Sequence, residues 1–447
     1  MTVLSLDGKS SSTKLERIGE VSAANRDMVF NNLGHLINIE LLRETYRRLD
    51  AKKAVGIDGV TKEKYGENLE ENLKKLILRI RKGSYRPTPA RLIEIPKDDG
   101  SMRPLAISCF EDKLVQYAVH AVLSKIYEPL FLPCSFGFRP GKSPHDALKA
   151  LNRATFENQD GAVVEIDIRQ CFNSIPHQEM GEILRRKISD KRFLRLIDVM
   201  MRAPIEVNGE MQIPDKGCPQ GSILSPMLAN IFLHHVIDVW FMTSCATHLN
   251  GRTRLIRFAD DAIFVFQYRD QAKRFFEVLP KRLQKFGLVM HEKKSHLLPF
   301  GHYAIARNDE AGVKPPTFKF LGFVCFWGRC RSNRYWRLKL RSRNDRLGAT
   351  IRGLRKYLWN HLASNTKDVL ERVKAIVRGW VNYHAVSDNH AQVDKFINLS
   401  KKLLFKWFNR RGGKKRMNWQ RFFDLLNRIA FPKVTKSIKL FSTPTRA

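Results

Sequence analysis

Apolar residues recur at three and four positions from Ile39 to Leu49 and again from Tyr65 to Ile80, the spacing of amphipathic helices, with Gly56-Ile57-Asp58-Gly59 as a turn between them. The preceding residues 1–34 open polar, with a Ser10-Ser11-Ser12-Thr13 run, and are expected to be a mobile tail. Two strand-like runs follow, Arg91 to Lys97 and Arg103 to Ile107, and the Asp98-Asp99-Gly100 between them predicts a hairpin. A helical pattern covers Asp112 to Tyr127. At Ala162 the pattern changes to Ala-Val-Val-Glu-Ile-Asp-Ile, a β-branched run suited to a buried strand. Pro226 predicts a helix start that Ser225 would cap. Leu255 to Phe258 and Ile263 to Phe266 are predicted strands separated by a tetrapeptide that carries Asp260-Asp261.

Beyond Trp327 the strand signal fades. Leu347, Ile351, Leu354 and Leu358 define one amphipathic helix; Val369, Val373, Ile376, Val377 and Trp380 a second; Phe396, Leu399, Leu403 and Trp407 a third. Three such helices predict a bundle. Strands and helices mix without strict alternation, so the fold class is α+β. No internal repeat is visible.

The 447 residues are 43% hydrophobic, enough for a sizeable core and several domains, and the formal charge is +35. From Arg329 to Ala447 there are 30 Lys and Arg against 6 Asp and Glu, so +24 of that charge lies in the last quarter. A polyanion is the implied partner, nucleic acid first. Basic amphipathic helices also bind anionic lipid, but no lipidation motif accompanies the charge and no apolar run is long enough to span a bilayer. The seven cysteines form no Cys-x-x-Cys pair, which argues against a disulfide framework or a zinc ribbon. A reducing, cytoplasmic setting is expected, and the polar N-terminus is not a secretory signal.

The candidate chemistry sits on three aspartates. Asp167 ends one predicted strand, and Asp260-Asp261 lie at the tip of a hairpin whose flanks are apolar. Converging carboxylates are hard ligands for divalent cations, and two such ions about 4 Å apart can activate a hydroxyl and neutralise a leaving pyrophosphate together. The alternative is that they are turn residues, as Asp98-Asp99 beside Gly100 are; unlike that pair, Asp260-Asp261 has no adjoining glycine.

The surroundings carry a family resemblance. Phe258-Ala259-Asp260-Asp261 resembles the aromatic-Ala-Asp-Asp signature of reverse transcriptases, and Asp167-Ile168-Arg169-Gln170-Cys171-Phe172 resembles their first aspartate motif. Gly217 to Pro226 resembles the motif between them; Gly287 to Ser295 and Phe318 to Phe323 resemble the two that follow. The chain is most similar to the reverse transcriptase/maturases encoded by group II introns. Arg103 to Ile107, Asp112 to Gln116 and Ser135 to Leu148 look like that family's fingers, Arg378 to His384 like its thumb, and Trp407 to Arg411 with Asn418-Trp419 like its basic C-terminal segment.

The resemblance implies a right-hand polymerase: an extension at 1–34, fingers at 35–150, a palm at 151–325, a helical thumb or maturase domain at 335–420 and a basic segment at 421–447. It implies an RNA-directed DNA polymerase that adds deoxynucleotides to a primer, with Asp167, Asp260 and Asp261 as catalytic carboxylates. Two Mg²⁺ ions, with Mn²⁺ as a substitute, would be held by these and the backbone of Ile168. Phe172 would fill the space of a ribose 2′ hydroxyl, or else pack in the core. Lys97 and Arg103 flank the fingers hairpin where they can face a triphosphate, or are ordinary exposed charges. Gln220 and Gly221 would meet the nucleotide, unless they only form a loop before the Pro226 helix. Lys294 would neutralise the departing pyrophosphate, or is a solvated loop lysine. Arg139, Lys142, Arg378, Arg410, Arg411, Lys414, Lys415 and Arg416 are the expected nucleic-acid contacts. Trp380, Tyr383 and Trp407 can stack on bases, although helical spacing favours core packing for both tryptophans.

The implied partners are an RNA template, including a parent intron RNA whose splicing the protein assists, a DNA primer or target, and deoxynucleotides. Asn173 stands where many family members carry a second aspartate, and no His/Cys-rich nuclease module follows the basic segment, so no DNA-cleaving domain is expected. Two other readings are an RNA-binding splicing factor with a vestigial polymerase site, and a host-retained reverse transcriptase serving phage defence or a CRISPR locus.

Overall fold

The computed structural model describes residues 11–96, 102–158, 161–207, 209–301, 312, 316–330, 336–411 and 416–440. Lys97, Lys414 and Lys415, and the tip of the 97–101 loop, lie outside the described residues. In chain order the elements are α1 (Ser11–Ala24), α2 (Ile39–Arg48), α3 (Lys62–Gly66), α4 (Leu69–Lys82), β1 (Ala90–Pro96), β2 (Met102–Ile107), α5 (Phe110–Tyr127), α6 (Pro144–Glu157), β3 (Ala162–Ile166), α7 (Cys171–Ser174), α8 (His177–Arg185) and α9 (Lys191–Met201). Then come β4 (Ile205–Val207), β5 (Glu210–Gln212), α10 (Ser225–Leu233), β6 (Thr253–Phe258), β7 (Asp261–Phe266), α11 (Arg269–Lys285), β8 (His296–Pro299), β9 (Thr317–Phe320), β10 (Phe323–Arg329), β11 (Trp336–Ser342), α12 (Asn344–Asn360), α13 (Thr366–His384), α14 (His390–Arg411) and α15 (Trp419–Arg428).

The chain divides into two units, Met1–Ser143 with Val164–Phe266 and Asp270–Leu297, and Pro144–Val163 with Gln267–Arg269 and Leu298–Ala447. In the first, α5 is apolar nearly all round, with Leu114, Val115, Val119, Val122 and Leu123 fully enclosed, as a helix at the centre of a core must be. The N-terminal residues are no loose tail from Ser11 on: α1 buries Leu15 and Ile18, and Ser22 Oγ donates to the Ile126 carbonyl of α5 at 2.6 Å. The helix expected from Tyr65 to Ile80 is two pieces, α3 and α4.

The hairpin of β1 and β2 is antiparallel, Arg91 opposite Ile107 and Ile95 opposite Arg103, and β4 adds in parallel to β1, giving the order β2-β1-β4-β5. A second four-stranded sheet runs β6-β7-β3-β8. Its strands β3 and β7 are buried almost throughout, which is why their sequences read as continuous apolar runs. Ser225 does not cap α10. It is the helix's first residue, its hydroxyl donates to the Pro219 carbonyl at 2.8 Å, and Pro226 supplies the preset φ.

The second unit holds an antiparallel sheet, β9-β10-β11, and the predicted bundle. Leu347, Leu354 and Leu358 of α12, Val369, Val373 and Val377 of α13, and Phe396, Leu404 and Trp407 of α14 form one apolar cluster. Trp380 and Trp407 are core residues, 8% and 2% exposed, and Trp380 stacks on Phe396. Among the described residues no helix is long and apolar enough to cross a membrane.

Candidate active site

The site begins at a turn. Phe258 pairs directly with Asp261, so β6 and β7 are joined by two residues, Ala259-Asp260, rather than by the four read from the sequence. A strand ladder is made by backbone groups, so it continues through the polar Asp261 that the apolar pattern left out. Ala259 takes a φ of 58°, the left-handed value a two-residue hairpin needs at its first position and one that costs an L residue about 1–2 kcal/mol.

Three groups hold that strained turn. Gly137 lies so close that a Cβ there would meet the Ala259 amide nitrogen at 2.3 Å. Its carbonyl accepts from Asn230 Nδ2 at 2.8 Å. Arg257, fully enclosed, donates from Nη1 to the Ala259 carbonyl at 2.9 Å and to Asn230 Oδ1 at 3.0 Å, and from Nη2 to Ser135 Oγ at 2.8 Å. Its remaining donors engage Asp238, which lies in the π-helical turn His234–Val239 that continues α10. Such turns are common at functional sites. Of these supporting residues only Ser135 and Gly137 fall in a stretch that the sequence singles out; Arg257, a charge between the apolar Ile256 and Phe258, is a further signal in the sequence.

Beside this turn β3 ends at Ile166 and Asp167 follows. The Asp167 amide donates to Ser295 Oγ at 3.2 Å and its carbonyl accepts from the His291 amide at 2.8 Å, while Ile168 bridges Met290 in antiparallel register and is buried. The 289–295 loop therefore fixes Asp167 as Arg257 fixes Asp260. Burial, and then the negative charge of Asp167, push the half-buried Asp260 carboxyl above its ordinary range, opposed by its own amide, Arg103 and Arg257. The enclosed Cys171 thiol is raised by burial and then by Asp260, with Asp167 adding to it. The Asp260 carboxyl thus lies within electrostatic reach of Asp167, a setting in which a divalent cation in place of a proton keeps neighbouring carboxylates ionised.

Asp261 opens β7 on the exposed side, and among the described residues no three carboxylate, imidazole or thiol groups stand close enough to hold a metal ion. Lys294 reaches Asp167 Oδ2 at 3.6 Å with both side chains partly solvated. Arg103 is exposed on β2, with its charge felt at Asp260. The half-buried Phe172 of α7 meets the Phe138 ring edge-on.

Gly221 is required by the fold itself. Its φ is 104° and a Cβ would strike the Ala106 carbonyl of β2 at 2.6 Å; the neighbouring Gln220 carbonyl accepts from the Ala106 amide. Arg139 is a correction to the expected nucleic-acid contacts. Its side chain is 9% exposed, Nε donates to Glu128 Oε2 at 3.0 Å, and Nη1 donates to the Leu132 and Ser135 carbonyls, so the guanidinium points inward and braces a turn. Lys142, Arg378, Arg410 and Arg416 are exposed; Arg410 lies over Trp359, and Arg411 over Trp407 with a hydrogen bond to Thr366.

A mixed helix-and-sheet architecture with an aspartate turn beside an aspartate-bearing strand end is that of a nucleic-acid polymerase palm. Residues 95–325, just over half of the chain, match the reverse transcriptase (RNA-dependent DNA polymerase) family, and the chain belongs to it. It is similar to the group II intron-encoded protein LtrA of Lactococcus lactis subsp. cremoris, 38% identical over 226 residues that cover 50% of this chain and 37% of the relative. It is also similar to the putative COX1/OXI3 intron 1 protein of Saccharomyces cerevisiae, 33% identical over 451 residues covering 83% and 52%. Protein YkfC of Escherichia coli is 35% identical over 182 residues, 40% of this chain and 48% of the relative. The chain spans about half or less of the length of these curated relatives.

Proposed function

We propose that this protein is an RNA-directed DNA polymerase that adds deoxynucleotides to a primer and also binds and assists splicing of a group II intron RNA. The observation that carries the first part is that the two-residue β6–β7 turn bearing Asp260 and the end of β3 that leads into Asp167 belong to neighbouring strands of one sheet. In this reading the first unit contributes fingers and palm, and the helices of the second unit the thumb.

Asp167 and Asp260, with the backbone of Ile168 and a contribution from Asp261, would hold two Mg²⁺ ions, Mn²⁺ substituting. Bound there, such ions neutralise triphosphate charge and make the primer 3′ hydroxyl easier to deprotonate. The chain's own groups do the rest. Arg103 places a fixed positive charge beside Asp260, where a triphosphate has to lie. Lys294, exposed and within reach of Asp167, can move its ammonium to the leaving pyrophosphate. Phe172 rejects ribose by volume. The basic helices of the second unit, with Arg378, Arg410 and Arg416 exposed, bind RNA phosphates.

Primer extension on an RNA template tests the assignment. The intact chain is expected to synthesise DNA only with a divalent cation, and Asp260→Asn to lose at least about three orders of magnitude of rate. Binding of intron RNA without any synthesis by the intact chain would leave a splicing factor with a vestigial site. Acceleration of intron splicing at low magnesium tests the second role.

A further inference from the structure

Neither the folding of the chain nor the roles assigned above account for Phe138. Its ring is 54% exposed, and its φ is 56°, a left-handed value that is unusual for a bulky side chain. An exposed aromatic ring and a strained backbone are both unfavourable, and strain of this kind gathers at functional sites. Here the fold enforces both from each flank. On one side the Phe136 amide donates to the Arg257 carbonyl at 2.8 Å, and Gly137 is pressed against the Ala259 turn. On the other, the inward guanidinium of Arg139 is tied to Glu128, Leu132 and Ser135. Phe138 is therefore fixed relative to the aspartate turn while its ring stays in solvent.

What that ring meets is Phe172, with centroids 6.5 Å apart and planes at 83°. Phe172 lies on α7, a helix of four residues, and is itself only half-buried, and its carbonyl accepts from the Cys218 amide at 2.7 Å. Edge-to-face contact is a favoured aromatic geometry and restrains both rings.

We propose that Phe138 is a specificity-determining residue, forming with Phe172 a two-ring wall against the sugar of the incoming nucleotide. Phe138 holds Phe172 in the orientation that leaves no room for a 2′ hydroxyl. Rejection by volume depends on how firmly the wall is held, because a ring that can swing aside yields to one extra oxygen. The inference rests on the reading of Phe172 as the group that meets the sugar.

The test is the ratio of kcat/KM for a deoxynucleotide to that for the matching ribonucleotide, measured by primer extension with the full chain, Phe138→Ala, Phe138→Tyr and Phe172→Ala. A general loss of activity lowers both substrates alike and cancels in the ratio. Phe138→Ala is expected to lower the ratio about tenfold or more, and Phe138→Tyr, which keeps the ring, to restore most of it. If Phe172→Ala lowers the ratio and Phe138→Ala does not, the second ring is no part of the wall and the proposal fails while the Phe172 reading stands. If Phe138→Ala instead raises KM for the primer–template with the ratio unchanged, the ring is a stacking platform for nucleic acid and the proposal is again overturned. If neither variant moves the ratio although DNA is made, the Phe172 reading falls too, and an intact chain that makes no DNA removes the polymerase reading and the sugar wall together.

Discussion

Arg257 and Asp238 form a fully enclosed, two-pronged ion pair, Nε to Oδ1 at 2.7 Å and Nη2 to Oδ2 at 2.6 Å. Burial by itself would raise the Asp238 carboxyl; the Arg257 charge and its hydrogen bonds outweigh that and hold Asp238 ionised below its ordinary range. The pair leaves Arg257 Nη1 free to bind the Ala259 carbonyl, so its geometry is transmitted to the turn that carries Asp260. Removing one partner strands a buried charge. Asp238→Asn or Arg257→Met is expected to destabilise by about 3–5 kcal/mol in chemical denaturation, whereas Arg257→Met with Asp238→Leu recovers stability but not polymerase activity. Full activity in that double variant would show that the pair only fills space.

Gly137→Ala tests the same turn from its other face. A methyl at that position overlaps the Ala259 backbone, and the obstacle is main chain, so the turn has to move. A displacement of about 1 Å at a catalytic carboxylate is enough for roughly a hundredfold loss of kcat. The expected result is that loss in primer extension with the circular dichroism spectrum and primer–template affinity retained. Wild-type kcat would mean that the hairpin tolerates the shift.

Inward and outward arginines should separate in a salt titration. Arg378, Arg410 and Arg416 are exposed on the basic second unit, and each phosphate contact contributes about 0.7 to 0.9 to the slope of log affinity against log salt. Replacing any one that meets phosphate by Ala is expected to lower the slope for RNA binding by about 1. Arg139→Ala should leave the slope alone and lower stability instead, because it removes the bonds that brace the 128–139 turn. A changed slope with Arg139→Ala would contradict the inward placement.

What the sequence made legible is what depends on near neighbours along the chain. The bundle helices, the β1–β2 hairpin and the strands around Asp260 follow from apolar periodicity, and the family motifs locate Asp167 and Asp260 without any coordinates. What stayed hidden depends on partners far away in sequence. Arg139 reads as one more basic residue until Glu128 and the carbonyls of a folded turn surround it, and Arg257 and Asp238 meet only when the π-helical turn after α10 packs on β6. Gly221 reads as a nucleotide-facing or loop glycine, and only the fold shows how closely it approaches the Ala106 carbonyl.

The second unit buries a titratable histidine. His384 at the end of α13 is 4% exposed, its Nδ1 lies 2.9 Å from Ser342 Oγ, and its ring stacks on Trp380. Burial first, then the positive charge of Arg346 and His145, push its pKa down to about 4. In the unfolded chain the imidazole takes up a proton near pH 6.5, whereas in the folded one it resists until about pH 4. The unfolded state therefore binds more protons across that window, and stability is fully present above pH 6.5 and falls as the pH drops towards 4. The His384 contribution to that loss is about 3 kcal/mol, from roughly 2.5 pH units at 1.36 kcal/mol each. His384→Gln keeps a polar group beside Ser342 but cannot titrate, so its stability, followed by tryptophan fluorescence in denaturant, is expected to fall less between pH 7 and pH 4 than that of the intact protein. Equal losses in the two would mean that His384 is protonated in the folded state as readily as in the unfolded chain.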